Sequence, residues 1–207
     1  MRRRAEQGFT LLELVLALSI VAVMLTILFG GLRVGLRAWQ RGEERAEALE
    51  HARSLGQVIE QTLAGVYAFQ GQIDTNTQAR ILFEGEAEKV SLVTVSPPLA
   101  LPGAIAFTAV TLSVEAGASF GLAIREKALP NFDPFETVKP SVVDPTVTGI
   151  RFRYLRDTDG SSSWEDTWDG VKERGLPRAV EVTLTTMING LPYEQAPITV
   201  PVRVTTP

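Results

Sequence analysis

One charged side chain lies inside the long apolar run near the start of this 207-residue chain. Glu13 follows Gly8 and Phe9 by a few positions, and residues 14–29 behind it carry no charge. A lone carboxylate in a membrane-spanning helix costs roughly 2.5–3.5 kcal/mol at mid-bilayer and less near an end, so such a residue is a functional candidate by default. Its expected chemistry is ion pairing, because a positive partner offsets part of that cost.

The apolar run that holds Glu13 is long enough to cross a bilayer. As a helix, residues 11–32 span about 33 Å, against a hydrocarbon core of about 30 Å. Arg2, Arg3 and Arg4 form a basic leader ahead of it, which favours a cytoplasmic N-terminus. The run is too long for a cleaved secretory signal, and no good cleavage site follows it. A plain signal anchor fits the length but leaves Glu13 unexplained.

These features together resemble the class III signal of type IV pilins and type II secretion pseudopilins. That signal combines a basic leader, a glycine before the scissile bond, an aromatic residue after it and a glutamate at the fifth mature position, here Gly8, Phe9 and Glu13. The resemblance implies that a prepilin peptidase cuts between Gly8 and Phe9 and that Phe9 is N-methylated. It also implies that Glu13 pairs with the N-terminal amine of a neighbouring subunit and so sets the register between subunits.

The helix is expected to continue well past the apolar run. No proline occurs between Phe9 and Val66, and apolar residues recur at helical spacing in its second half, at Leu49, Ala52, Gly56, Ile59, Leu63 and Val66. A break near Gly42 is the alternative, since glycine weakens a helix. The predicted organisation is a cleaved leader at 1–8, a transmembrane helix half at 9–32, an amphipathic half at 33–66 and a periplasmic β-rich domain at 67–207.

Beyond the helix the apolar spacing changes to that of strands. The pattern predicts a strand pair at 80–84 and 89–95, strands at 104–115 and 120–125, and a proline-rich surface loop at 129–145. Three later strands each place apolar residues on one face: Ile150, Phe152 and Tyr154, then Val180, Val182 and Leu184, then Ile198, Val200, Val202 and Val204. About seven short strands after a long helix indicate an α+β fold with antiparallel sheets, one of them packed on the helix stripe.

Composition speaks against several function classes. The net charge is −4 and becomes −6 without the leader, whose three arginines and one glutamate are removed, so nucleic-acid binding is not expected. There is no cysteine, and the only histidine, His51, lies between glutamates and is expected to be solvated rather than catalytic. No phosphate-binding loop is present either. The sequence therefore predicts no enzyme activity, no cofactor and no small-molecule substrate.

An acidic segment at 157–166 is the one candidate for metal binding. Asp157 and Asp159, with Ser161, Ser163 and Glu165, offer oxygen atoms at alternate positions, as a calcium site would. The glycine and the final glutamate are not placed as in an EF-hand. A hairpin loop that contains Gly160 explains the same composition without metal and is the favoured interpretation.

The C-terminal part is similar to the minor pseudopilin J family of type II secretion systems. The residues that carry the similarity are Tyr154-Leu155-Arg156-Asp157, Gly160, Trp164, Trp168, Leu176-Pro177 and Val180-Glu181-Val182, together with Gly35-Leu36-Arg37-Ala38-Trp39 after the apolar run. Trp164 and Trp168 are expected either to pack over a sheet edge or to contact a partner. Residues 75–144 carry no motif of that family.

The resemblance implies a single-pass protein of the inner membrane with its C-terminal domain in the periplasm. Its implied partners are the H, I and K minor pseudopilins, the major pseudopilin and the prepilin peptidase that also methylates. Its implied role is in the pseudopilus tip complex that initiates assembly for export of folded proteins. Two alternatives stay open: a minor pilin of a type IV pilus or DNA-uptake apparatus, and a membrane-anchored periplasmic enzyme or binding protein.

Overall fold

The computed structural model describes residues 10–71, 80–99, 106–117, 120–131, 133–135, 139–158 and 160–203. Gly8, Phe9, Asp159 and Val204, which the sequence singled out, lie outside these ranges. The described chain divides into two compact units, the first ending at Glu47 and the second beginning at Ala48.

The helix α1 runs without interruption from Leu11 to Ala64, 54 residues in all. The expected continuous helix is confirmed, and the alternative break at Gly42 does not occur. Its buried residues follow the predicted stripe and lie at Ala52, Gly56, Ile59, Thr62 and Leu63. Leu49 was predicted to belong to this stripe but is 36% exposed, because it lies nearly one turn before the first residue that the β domain covers.

Within the residues that the structure describes, thirteen strands follow the helix. They are β1 (Gln70–Gly71), β2 (Arg80–Ile81), β3 (Phe83–Gly85), β4 (Lys89–Thr94), β5 (Thr108–Glu115), β6 (Gly121–Ala128), β7 (Val142–Asp144), β8 (Val147–Thr158), β9 (Ser161–Glu165), β10 (Trp168–Asp169), β11 (Ala179–Ile188), β12 (Leu191–Glu194) and β13 (Ile198–Pro201). They pair antiparallel, as the sequence predicted. The fold is therefore α+β, with a long N-terminal helix and antiparallel sheets.

The larger sheet has six strands in the order β10-β3-β4-β5-β6-β7. The predicted first hairpin is confirmed, with Phe83 opposite Leu92 and Gly85 opposite Val90. The prediction of a loop throughout 129–145 is wrong at its end. Val142 and Val143 belong to the edge strand β7, where Leu122 pairs with Asp144. Two β-branched residues between flanking prolines suit an edge strand, which needs ladder bonds on one side only.

The second large sheet has the order β12-β11-β8-β9, and β13 also pairs with β11. The predicted inward faces of its two central strands are confirmed, since the following side chains are all buried: Ile150, Phe152, Tyr154, Val180, Val182 and Leu184. Within the described chain, β13 pairs with β11 alone, so Pro201 lies on an edge strand, where proline is tolerated.

The two large sheets and the second half of α1 share one hydrophobic core. The rings of Phe83 and Tyr154 meet edge to face with centroids 6.0 Å apart. The buried Tyr154 hydroxyl donates to the carbonyl of Glu86 at 2.9 Å, and a Cβ at position 85 would collide with its ring. Burial of the phenol, followed by the charge of Glu86, raises the pKa of Tyr154. Backbone hydrogen bonding also joins the sheets, because the Phe152 N–H donates to the Ala87 carbonyl at 2.8 Å.

Polar contacts fix the helix against both sheets. The Thr94 hydroxyl on β4 donates to the Thr62 carbonyl at 2.9 Å, and Thr62 in turn donates to Val58 within the helix at 2.9 Å. From the other sheet, the Gln195 amide donates to the Ala52 carbonyl at 3.3 Å. Each buried hydroxyl in this contact is therefore satisfied, as burial of a polar group requires.

Candidate functional site

Glu13 lies in the first turn of α1 and its side chain is exposed. Its backbone N–H donates to the Thr10 hydroxyl at 3.3 Å, so Thr10 caps the helix. The signal for this cap was already in the sequence, because a threonine three residues before a glutamate is the spacing of a capping box. The cap gives Glu13 a local role at the helix start, where a carboxylate also interacts favourably with the helix dipole. Its carboxylate remains accessible to a partner.

The helix surface that follows Glu13 is apolar and uncovered. The helix α1 has the length and hydropathy to cross a membrane. Its most apolar 18 residues have a mean hydropathy of 2.7, and none of these residues is buried. Exposed apolar surface of this extent requires lipid or a protein partner. Gly8 and Phe9 lie outside the described residues, so cleavage and methylation remain predictions from the sequence.

His51 was expected to be solvated, and it is 52% exposed, but it also has a specific partner. Its Nε2 lies 2.7 Å from Oδ2 of Asp144 on β7, ninety-three positions away in the chain. The other oxygen of Asp144 accepts the Thr146 N–H at 2.9 Å and the Thr146 hydroxyl at 2.6 Å. This contact joins the long helix to the edge strand of the six-stranded sheet.

The contact stabilises the ionised form of Asp144. Burial acts to raise the pKa of this carboxyl, but the hydrogen bonds from Thr146 and the neighbouring His51 outweigh burial, so the pKa lies below its usual range. Since the folded-state pKa is lower than the unfolded one, the contribution to stability is complete above the usual carboxyl range and is lost as the pH falls through the folded-state pKa.

Replacing Asp144 by asparagine is expected to lower the free energy of unfolding by about 1 kcal/mol at neutral pH, because the charge facing a half-exposed His51 is lost. Asparagine can still accept the Thr146 N–H, so the loop remains held. Thermal unfolding between pH 3 and 8 should show a gap from the wild type that is constant above the usual carboxyl range and closes as the pH falls below it. Asp157→Asn, at an exposed carboxylate, is the matched control with little change expected. A gap that stays constant down to pH 3 would contradict the proposed ionic origin.

Trp168 and Trp164 both stack beneath arginines at sheet edges, Trp168 on the edge strand β10 of the six-stranded sheet and Trp164 on the edge strand β9 of the second sheet. Trp168 is only 8% exposed, and its indole N–H donates to the Gly175 carbonyl at 2.9 Å. The Arg156 guanidinium lies 5.2 Å from its ring centroid, and Arg153 lies 5.7 Å from that of Trp164. Trp164 is half-buried and offers more surface than Trp168. Packing over the sheet edge therefore accounts for both positions, and partner contact stays a prediction.

Arg156 is held in place over Trp168 by a carboxylate. Its guanidinium donates two hydrogen bonds to Glu173, one of them 2.8 Å long. The hydrogen bonds from Arg156 lower the pKa of Glu173. These hydrogen bonds fix the loop between β10 and β11 to β8.

The acidic segment at 157–166 forms a hairpin, as the favoured interpretation had it. Asp157 pairs with Ser162 and Thr158 with Ser161 across the turn, where Gly160 has a φ of 85°. Paired residues share a face of the hairpin. Asp157 therefore lies on the same face as Ser162. Ser161, Ser163 and Glu165 lie on the opposite face, because side chains alternate along β9. The oxygens of the described residues do not converge on one point, and Asp159 lies outside them.

The described residues form no cluster that could hold a metal ion. Among these residues, no three acidic or histidine side chains come together as a metal site would require. The exposed N-terminal helix surface and Glu13 are therefore the strongest candidates for function in the chain that the structure describes.

Comparison with known proteins also points to the N-terminal segment. The family model for the prokaryotic N-terminal methylation motif matches residues 3–29, which include Gly8, Phe9 and Glu13. The chain is also 34% identical over 90 residues to a type II secretion system protein J from Xanthomonas campestris pv. campestris. That match covers 44% of this chain and 42% of the relative, so it spans less than half the length of either. Together, the prepilin-type methylation motif and the similarity to a protein J support the resemblance to J-type pseudopilins that the sequence predicted.

Proposed function

We propose that this chain is a minor pseudopilin of a type II secretion system, an assembly component rather than an enzyme. The observation that carries the proposal is the methylation motif at residues 3–29 continuing into an exposed apolar helix. The similarity to a protein J points to the type II secretion branch. In this proposal the chain is cut between Gly8 and Phe9, methylated on Phe9, and paired through Glu13 with the N-terminal amine of a neighbour.

The proposed topology is a single pass through the inner membrane, with the β-rich domain at 67–207 in the periplasm. The motif supports this orientation better than the charge distribution does. Arg2, Arg3 and Arg4 precede the apolar run, but Arg33 and Arg37 follow it closely, and basic residues at both ends give a weak orientation signal. The motif supports a cytoplasmic N-terminus, because in the proteins that this chain resembles its cleavage site is processed on the cytoplasmic face.

The proposed partners are the H, I and K minor pseudopilins and the major pseudopilin, in a tip complex that starts pseudopilus assembly. Two features support an interaction role. The first half of α1 has an uncovered apolar surface, and the domain carries exposed apolar side chains on β12 at Leu191 and Tyr193. Both are surfaces that protein contacts or lipid would cover.

An in-frame deletion in the native bacterium tests the proposal. Secreted enzymes in the supernatant are expected to disappear, while surface pili and DNA uptake stay intact, and expression of the wild-type chain should restore secretion. Loss of pili or of uptake with normal secretion would instead support a minor pilin of a type IV apparatus. If all three processes were unaffected, the membrane-anchored enzyme or binding protein would become the better explanation.

A further inference from the structure

Four arginines recur every four residues directly behind the apolar run of α1. They are Arg33, Arg37, Arg41 and Arg45, and all four are exposed. At 3.6 residues per turn, each step of four advances the side chain by about 40° around the helix, so the set occupies roughly a third of the circumference. We call this set the arginine ridge. The net charge of the whole chain is negative, so a composition count does not reveal the arginine ridge.

The arginine ridge has no ionic partner in the part of the chain that the structure describes. The ion pairs there join other residues: His51, Arg125, Arg151, Arg153, Arg156 and Lys172 with acidic partners in the β domain. Like charges four residues apart on a helix repel one another and destabilise it. An acidic surface packed against the arginine ridge offsets this repulsion and stabilises the helix.

The position of the arginine ridge argues against lipid as its main partner. The headgroup layer extends about 5–7 Å beyond the hydrocarbon core on each side. Arg33 stands at the end of the apolar run, and each further arginine lies about 6 Å farther along the axis. Lipid phosphates can therefore reach Arg33 and Arg37, whereas Arg45, about 18 Å beyond Arg33, lies outside their layer. A parallel protein helix can face all four positions.

We propose that the arginine ridge binds an acidic ridge on the parallel helix of a different subunit. The partner would carry acidic side chains at four-residue spacing directly beyond its own membrane span. The inference rests on the proposed function, because it takes the helix to be membrane-embedded beside neighbouring subunits. Beyond that function, the inference specifies the charge pattern that the neighbouring subunit must carry.

A second copy of this chain fits the arginine ridge poorly. Two copies at the same height, or displaced by four residues, place arginine opposite arginine. A shift of two residues, or about 3 Å, brings Arg41 and Arg45 opposite Glu43 and Glu47 of another copy but leaves Arg33 and Arg37 without acidic partners. Bringing Arg33 and Arg37 opposite the same two glutamates needs a shift of ten residues, or about 15 Å. The larger shift moves half of one apolar run out of a hydrocarbon core of about 30 Å, so a second copy pairs with only part of the arginine ridge. A different subunit with acids at the matching height needs no shift.

Disulfide cross-linking of full-length chains in phosphatidylcholine vesicles tests the inference, because the chain has no cysteine of its own. The probe is a copy of this chain with all four ridge arginines replaced, R33E/R37E/R41E/R45E. Both the wild-type chain and the probe carry Val34→Cys, which lies within the arc of the arginine ridge, and tags of different size. Only parallel neighbours at the same height bring the introduced thiols together, since antiparallel ones leave them on opposite sides of the bilayer.

Mixed pairs of wild type and probe are expected to cross-link several-fold more than either chain with itself at low ionic strength. The preference should disappear in 1 M salt, where the screening length is about 3 Å. A control with all four arginines changed to lysine, R33K/R37K/R41K/R45K, should still prefer the acidic probe, because it keeps the charge. Circular dichroism of each variant verifies that the helix is formed.

Two results would overturn the inference. One is wild-type chain cross-linking with itself as readily as with the acidic probe. The other is loss of the mixed-pair preference when phosphatidylglycerol replaces phosphatidylcholine at constant ionic strength, which would assign the arginine ridge to anionic lipid. The cross-linking experiment measures helix pairing, whereas the deletion experiment measures secretion. A negative result in one therefore does not imply a negative result in the other.

Discussion

Under the proposed function, replacing Glu13 by alanine is expected to leave the proposed cleavage before Phe9 largely intact and to block incorporation with the proposed pseudopilin partners. Without the carboxylate, the N-terminal amine of a neighbour would stay unpaired near the membrane interior. An unpaired charge there costs roughly 2.5 kcal/mol, which corresponds to about two orders of magnitude in association. A pull-down of the tagged chain, followed by blotting for the other minor subunits, measures incorporation, and the gel shift of the leader measures cleavage.

The cap formed by Thr10 requires two matched variants, because Glu13 also stands at the glutamate position of a capping box. Glutamine can replace glutamate in that box, so Glu13→Gln keeps the cap and removes the charge. It is expected to fail in assembly as alanine does. Thr10→Ala removes the cap at a cost of about 1 kcal/mol to the helix start and keeps the carboxylate, so assembly should largely persist. Normal assembly by Glu13→Gln would show that capping, and not ion pairing, is the role of Glu13.

Replacing Phe152 by alanine is expected to destabilise the β domain by about 3–5 kcal/mol, as removal of a buried phenylalanine commonly does. Phe152 is fully buried in the core shared by the two large sheets. Its backbone N–H also joins those sheets through Ala87, and that bond survives the substitution. For a domain of this size the loss corresponds to a fall of roughly 6–20 °C in the midpoint of thermal unfolding, followed by circular dichroism of the full chain in detergent.

Phe120→Ala is the matched control for this prediction. Phe120 is 45% exposed, so the same chemical change there removes little buried surface, and the midpoint should shift far less. Equal shifts for the two variants would mean that the core does not depend on the contact between the sheets at Phe152.

The features that the sequence predicted well are those set by local periodicity. The apolar run, the charged stretch behind it and the absence of proline predict one helix, and α1 extends from Leu11 to Ala64. The alternation at Ile150, Phe152 and Tyr154 predicted their common inward face, because a strand between core and solvent must alternate. These signals depend on neighbours a few residues away, so they can be read before any tertiary contact is known.

The features that the sequence predicted poorly depend on pairing across long separations. The strand β7 is three residues long and lies in a proline-rich segment, and its existence depends on the free edge of β6. Strand preference is weak without such a partner. The contact between His51 and Asp144 joins residues that no local pattern relates. The hairpin register placed Asp157 on the face opposite its supposed co-ligands, and a shift of one residue would have reversed that result.

The sequence by itself determined the functional features of the N-terminal helix and of the segment before it. The expected cleavage site at Gly8 and Phe9 is a linear motif. Glu13, the apolar run and the arginine ridge are linear patterns too, and the helix converts their spacing directly into positions on its surface. Only the tertiary structure decided that Trp168 is buried beneath Arg156, that His51 has a partner and that Leu49 is exposed. Those outcomes depend on which surfaces the sheets bring together, and that choice is made by the packing of the whole domain.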